Sequence, residues 1–179
     1  MIQRIQSILL LVMALIMVAF LFVPTWQNQN KDMKTKDGKA SDAKVTLTPF
    51  YLTLNGTEKY EERSKDNIIK EQKILNETKI TIYIAILAIV VAVVGAFSIF
   101  QYRTRTLQVK LGAFNSLLLC LIVVCISINI MQGNKLLDNP ADGDFQGFFI
   151  PIIGILLNMM ANHFIRRDEK LVKSADRIR

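Results

Sequence analysis

Four asparagines and one histidine stand inside otherwise apolar stretches of this 179-residue chain, and they are the first places where chemistry could be done: Asn115, Asn129, Asn158, Asn162 and His163. Asn158 and Asn162 lie four apart and share a helical face. Amides so placed can bond neighbouring helices or line a pocket for a small ligand or quinone. His163 is the only histidine. It could ligate haem, but a bis-histidine site would need a second chain. A single histidine near the end of an apolar run reads better as a polar group reaching for the interface. Cys120 and Cys125 point about 140° apart on a helix, too divergent for a disulfide within it. They read as small buried hydrophobes. Asp138, Asp142 and Asp144 hint at a cation site but lack the other ligands of a Ca²⁺ loop. There is no phosphate-cradling glycine loop, no nucleophile near the histidine and no carboxylate pair suited to a cleft. The expectation is a non-enzyme with no cofactor and no metal.

The elements that must position these residues are set by composition. Half of the chain is hydrophobic (51%), and the apolar residues are bunched rather than periodic. Mean hydropathy is +0.32. Four stretches free of Asp, Glu, Lys and Arg, at 5–23, 80–100, 111–131 and 145–165, approach or exceed the roughly 20 residues that cross about 30 Å of hydrocarbon. The fold class expected is an all-α integral membrane protein with four transmembrane helices, as one domain over 1–179. A cleavable signal peptide is disfavoured, because FVPTWQNQ offers no small residues before a cut. Pro24 ends the first helix, and Trp26 suits the headgroup layer.

None of the four stretches carries an interior charge, which disfavours coupled transport. Asn115, Asn158, Asn162 and His163 are therefore candidate interhelical polar contacts, each worth about 0.6 kcal/mol and at most about 2. Ala85, Ala88, Ala92 and Gly95 recur at spacings of three, four and three, a stripe of small residues that lets another helix approach, within the bundle or across a dimer. Gly147, Pro151 and Gly154 make a kink plausible in the fourth helix.

Lys and Arg fall asymmetrically. Arg4, Arg103, Arg105 and Lys110 precede or join helices on one side, and Arg166, Arg167, Lys170, Lys173, Arg177 and Arg179 follow the last helix on that same side. The short connection between the third and fourth helices carries Lys135 against three aspartates. The positive-inside rule then puts both termini in the cytoplasm and residues 24–79 outside. That 56-residue segment holds 11 basic and 9 acidic residues and is long enough to cross largely regardless of charge.

Within it, VTLTPFYLTLNGTEKY alternates apolar and hydroxyl residues and reaches Asn55-Gly56, the dipeptide suited to a type I′ turn. A short β-hairpin is expected, with Pro49 on an edge strand. The polar run before it reads as a flexible linker, and EERSKDNIIKEQKILNETK as a helix capped near Asp66 or Asn67. Two N-x-T sequons, at Asn55 and Asn76, read as chance in a bacterial chain. The segment has no cysteine, against disulfide-based outer domains.

The ending IRRDEKLVKSADRIR does two things. Arg166 and Arg167 fix the end of the fourth helix. Leu171, Ala175 and Ile178 share a helical face, so residues 166–179 read as an amphipathic tail that lies on the inner leaflet or docks on a partner. The net charge of +7 is accounted for by this distribution. With Tyr102 the only aromatic among the basic residues, nucleic acid is not an expected partner.

The opening MIQRIQSILLL, the PTW after the first helix, the connection FQYRTRTLQVKLGAFN and the ending ANHFIRRDEKLVKSADRIR together resemble the small four-helix inner-membrane proteins of Bacteroidetes catalogued as a domain of unknown function. The resemblance covers both ends and the centre, and leaves out the long outer segment. It implies four spans in a bacterial inner membrane and supplies neither activity nor catalytic residues. The expected role is a scaffold or accessory subunit that binds the bilayer and another membrane or cytoplasmic protein, or a second copy of itself. The alternative is a small-molecule permease or a lipid- or quinone-handling protein with a helix-lined cavity near Asn158 and Asn162.

Overall fold

The computed structural model describes residues 2–34, 40–63, 68–101, 104–136 and 143–176. Four helices carry the chain: α1 (Ile2–Phe20), α2 (Ile82–Phe100), α3 (Arg105–Leu136) and α4 (Phe149–Asp176), the last entered through a 3₁₀ turn at Gln146–Phe148. α1 packs against α2 and α4, and α3 packs against the same two, so the helices form a closed ring. Three of them are long and apolar enough to cross a membrane, over Ile82–Phe100, Thr106–Lys135 and Gln146–Leu171. α1 is apolar over Ile5–Phe20, a shorter run than the others. It stops before the expected Val23 because Leu21, Phe22 and Val23 turn by bonding three residues back, ahead of Pro24. Proline restricts the residue before it and donates no bond of its own.

Between α1 and α2 the expected flexible linker, short hairpin and helix are replaced by a four-stranded antiparallel meander. Its strands are β1 (Trp26–Lys34), β2 (Ala40–Leu47), β3 (Tyr51–Arg63) and β4 (Ile68–Ile80), in the order β1-β2-β3-β4. Asn55-Gly56 is not a turn. Both residues lie inside β3, opposite Lys44 and Ala43 on one side and Asn76 and Leu75 on the other. The turn falls at Thr48–Tyr51, with Pro49 at its second position, where a fixed φ suits a tight turn. The Thr48 hydroxyl donates to the Tyr51 carbonyl at 2.9 Å and accepts from the Tyr51 N–H at 3.1 Å. Pro49 is therefore a turn residue, not an edge-strand residue. The segment read as a helix is β4, whose thirteen residues pair with β3 throughout. Asp66 and Asn67 lie outside the described residues.

The sheet is fastened to the bundle at several points. The Pro49 carbonyl accepts the Ala85 N–H at 3.2 Å, and the Phe50 carbonyl accepts the Thr81 N–H at 2.8 Å. The β2–β3 turn thus satisfies donors that the start of α2 would leave open. On the far edge, Gln27 and Asp144 exchange backbone bonds of 3.0 and 2.7 Å, so the connection into α4 closes onto β1.

Candidate functional site

Cross-strand register decides which side chains meet the bundle. Trp26 lies opposite Leu47, Leu47 opposite Leu52, and Val45 opposite Leu54, and opposed residues share a sheet face. Trp26 is 1% exposed, so its ring is enclosed by the protein itself. Its ring fills a slot between two glycines: a Cβ on Gly133 of α3 would come within 2.8 Å of Trp26 Cζ3, and one on Gly143 would collide with Nε1. Val45, Leu47 and Leu52 are buried beside it and join one hydrophobic core with Leu10, Met13, Met17, Phe20, Leu119, Ile122 and Ile126 of the helices. Sheet and bundle therefore share a single core.

The fourth strand breaks the pattern. Glu77 stands opposite Leu54, and Lys79 opposite Leu52, so the face that is apolar through three strands becomes ionic in β4. Here the sheet stands off the bundle. Leu52, Leu54, Glu77, Thr78, Lys79 and Gln132, from the last turns of α3, line a cleft of about 410 Å³. The Lys79 ammonium donates to Gln132 Oε1 across it.

A second polar region lies in the half of the bundle away from the sheet, and every helix contributes to it. Asn158 Nδ2 of α4 donates to the Gly112 carbonyl and to Ser116 Oγ, both at 2.7 Å. Asn162 turns its Oδ1 into the space beside Gly112, where a Cβ would collide with it. Asn115 Nδ2 donates to Met13 Sδ of α1 at 3.4 Å, and Gln108 Nε2 donates to the Ser98 carbonyl of α2 at 3.2 Å. Gln6 of α1 is buried in the same half. Asn115, Asn158 and Asn162 thus all bear on one stretch of α3, from Gly112 to Ser116, although not on one another. His163 is exposed instead, with its ring edge-on to Phe164. It lines a surface groove of about 560 Å³ with Arg166, Arg167, Glu169 and Lys170.

Ala85, Ala88, Ala92 and Gly95 are all buried. A Cβ on Gly95 would press on Met13 Cε and lie 3.9 Å from Ala14 Cβ, so at that point the small stripe receives α1 of the same chain. Asn129, near the sheet end, donates to the Tyr83 hydroxyl and to the Cys125 carbonyl. Cys120 is exposed and Cys125 half-buried, both as free thiols. Among the described residues no three His, Cys, Asp or Glu side chains gather as a metal site.

Arg4 lies in the first turn of α1, Arg105 opens α3, and Lys110 is exposed one turn on. Arg166 and Arg167 are exposed on α4, which continues unbroken past them to Asp176. Leu171 is 51% exposed on that extension. Arg103, Asp138, Asp142 and Ile178 lie outside the described residues.

The model of one family, described as Domain of unknown function (DUF4293), matches residues 2–178. The chain belongs to that family. No curated protein matches it. The match takes in the sheet as well as the helices, so the segment that the resemblance left out lies within the DUF4293 domain.

Sequence reasoning missed Glu77 and Lys79, Gln6, Ser98 and Gln108, and the glycine slot around Trp26. The available signal for the first pair was period two: Glu77 and Lys79 alternate along a strand as Leu52 and Leu54 do. Gln108 and Asn115 stand seven apart on α3, about two turns, which marks a polar side on an otherwise apolar helix.

Proposed function

We propose that the protein is a non-enzymatic scaffold or accessory subunit of a bacterial inner membrane, with both termini cytoplasmic, residues 24–79 periplasmic, and a membrane or cytoplasmic protein as its partner. The observation that carries this reading is the unbroken course of α4. At about 1.5 Å per residue its 28 residues extend roughly 42 Å, some 12 Å more than the hydrocarbon layer. A helix that continues straight past Arg166 and Arg167 projects into the aqueous phase rather than folding onto the leaflet. It carries Leu171, which is 51% exposed beyond Arg167. The packing near Asn158 and Asn162 supports a scaffold over a permease, because Gly112 and Ser116 occupy the space that a ligand would need. The basic residues at this end are what the positive-inside rule requires of a cytoplasmic face.

Replacing Leu171 and Ile178 with Ser tests the proposal. Membrane insertion stays intact, and a stoichiometric partner seen by mass measurement of the cross-linked wild-type complex is lost. A partner that stays bound to the double variant returns the tail to a topological anchor. Reporters fused after Lys59, Lys135 and Arg179 test orientation separately, and an external signal at Arg179 overturns it.

A further inference from the structure

The ionic break in β4 ties the sheet to the bundle through one bond only, from Lys79 to Gln132 of α3, and leaves Glu77 outside that contact. Three strands bury Trp26, Val45, Leu47 and Leu52 on the bundle-facing side. The fourth places Glu77 and Lys79 on that same side, both exposed, over a cleft of about 410 Å³. An anion and a cation two residues apart on one strand face the same space. Lysine has three donors, of which Gln132 takes one.

The segments that lead away from the cleft are apolar and exposed. Ile80 and Ile82, directly after Lys79, are 72% and 51% exposed. On the facing flank Ile128 and Met131, within a turn of Gln132, are exposed as well. Below them the α2 and α3 surfaces continue with exposed Ile86, Ile89, Leu121 and Val124. A charged cleft whose lining residues continue along the chain into helices with exposed aliphatic side chains matches a molecule with a charged head and hydrocarbon tails.

We propose that this cleft binds the headgroup of an amino-phospholipid, with the phosphate on the Lys79 ammonium and the lipid's primary ammonium on the Glu77 carboxylate, while the acyl chains lie along α2 and α3. The paired charges select a zwitterionic head with N–H donors. A phosphatidylglycerol head has no cation for Glu77, and a phosphatidylcholine head has a cation without an N–H. This goes beyond a scaffold role and rests only on the chain being inserted with the sheet at one membrane surface.

The test uses the full-length protein in mild detergent, equilibrated with vesicles containing equal amounts of phosphatidylethanolamine, phosphatidylcholine and phosphatidylglycerol, with retained lipid read by native mass spectrometry. Phosphatidylethanolamine is retained over phosphatidylcholine by roughly tenfold, the factor that one charge-assisted hydrogen bond contributes. Glu77→Gln brings the two to parity, and Lys79→Met lowers retention of all three. Equal retention by the wild type, a preference unchanged in Glu77→Gln, or displacement of the lipid by an equal concentration of free phosphoethanolamine overturns the proposal. Should either variant misfold, a photoreactive phosphatidylethanolamine on the wild type decides: labelling within Leu75–Ile82 or Ile128–Gln132 supports the site, and labelling only elsewhere sinks it. Carbonate extraction of the same membranes reports insertion independently, so loss of insertion and loss of lipid preference are separate results.

Discussion

At the sheet end the bundle is closed by one aromatic side chain pressed between two glycines, whereas in the opposite half the helices are joined by amides whose bonds reach different neighbours. Trp26 presses on Gly133 and Gly143 at once and has no close substitute in shape. Asn115, Asn158 and Gln108 each make one or two bonds, to Met13, to Gly112 and Ser116, and to Ser98. The difference teaches where stability is concentrated and where it is spread. A packed ring can be lost only as a whole, but pairwise amide bonds can be lost one at a time.

The largest effect should come from Trp26→Ala, which empties the slot and costs about 3–5 kcal/mol. A denaturant melt would show it, and proteolysis within residues 24–79 would show the sheet coming off the bundle first. A cost below that of any single amide variant would break the contrast. Gly133→Val attacks the same slot from the other wall, where a Cβ would lie 2.8 Å from the ring, and overpacking of this kind costs about 1–3 kcal/mol. Trp26 fluorescence should shift to the red as the ring is pushed towards water. In the other half, Asn158→Ala should lower the melt by only about 1 kcal/mol, within the range for interhelical bonds in lipid. The double variant Asn115→Ala/Asn158→Ala should be close to additive, since their partners differ; strong coupling would mean the amides act as one network. Smallest of all, Leu171→Ser should change stability by no more than about 0.5 kcal/mol, because the side chain is exposed.

The two halves also differed in how far the sequence disclosed them. Helices α2, α3 and α4 were plain because uncharged runs of that length have few other uses. The rotation of each helix about its axis was not, so Asn158 could be named as a contact but Gly112 and Ser116 could not be named as its partners. The sheet was largely hidden. β1 reads WQNQNKDMK, and β4 reads IIKEQKILNETKI, whose paired aliphatics fit a helix as well as a strand. Pairing of β4 with β3 along thirteen residues outweighs that local preference. Asn55-Gly56 misled for a related reason: a dipeptide that favours a turn alone is held extended when β2 and β4 flank it on both sides. The better turn signal, Pro49 following Thr48, was present but had been assigned to an edge.

The bond pair between Gln27 and Asp144 joins segments on either side of α2 and α3 in the chain, so it can form only late in synthesis. β1 leaves the ribosome early, yet the residue that closes its edge is made only after α2 and α3. Until then β1 offers unpaired backbone groups to any neighbouring chain or protease. Pairing at Gln27 therefore waits until the chain has passed through α2 and α3.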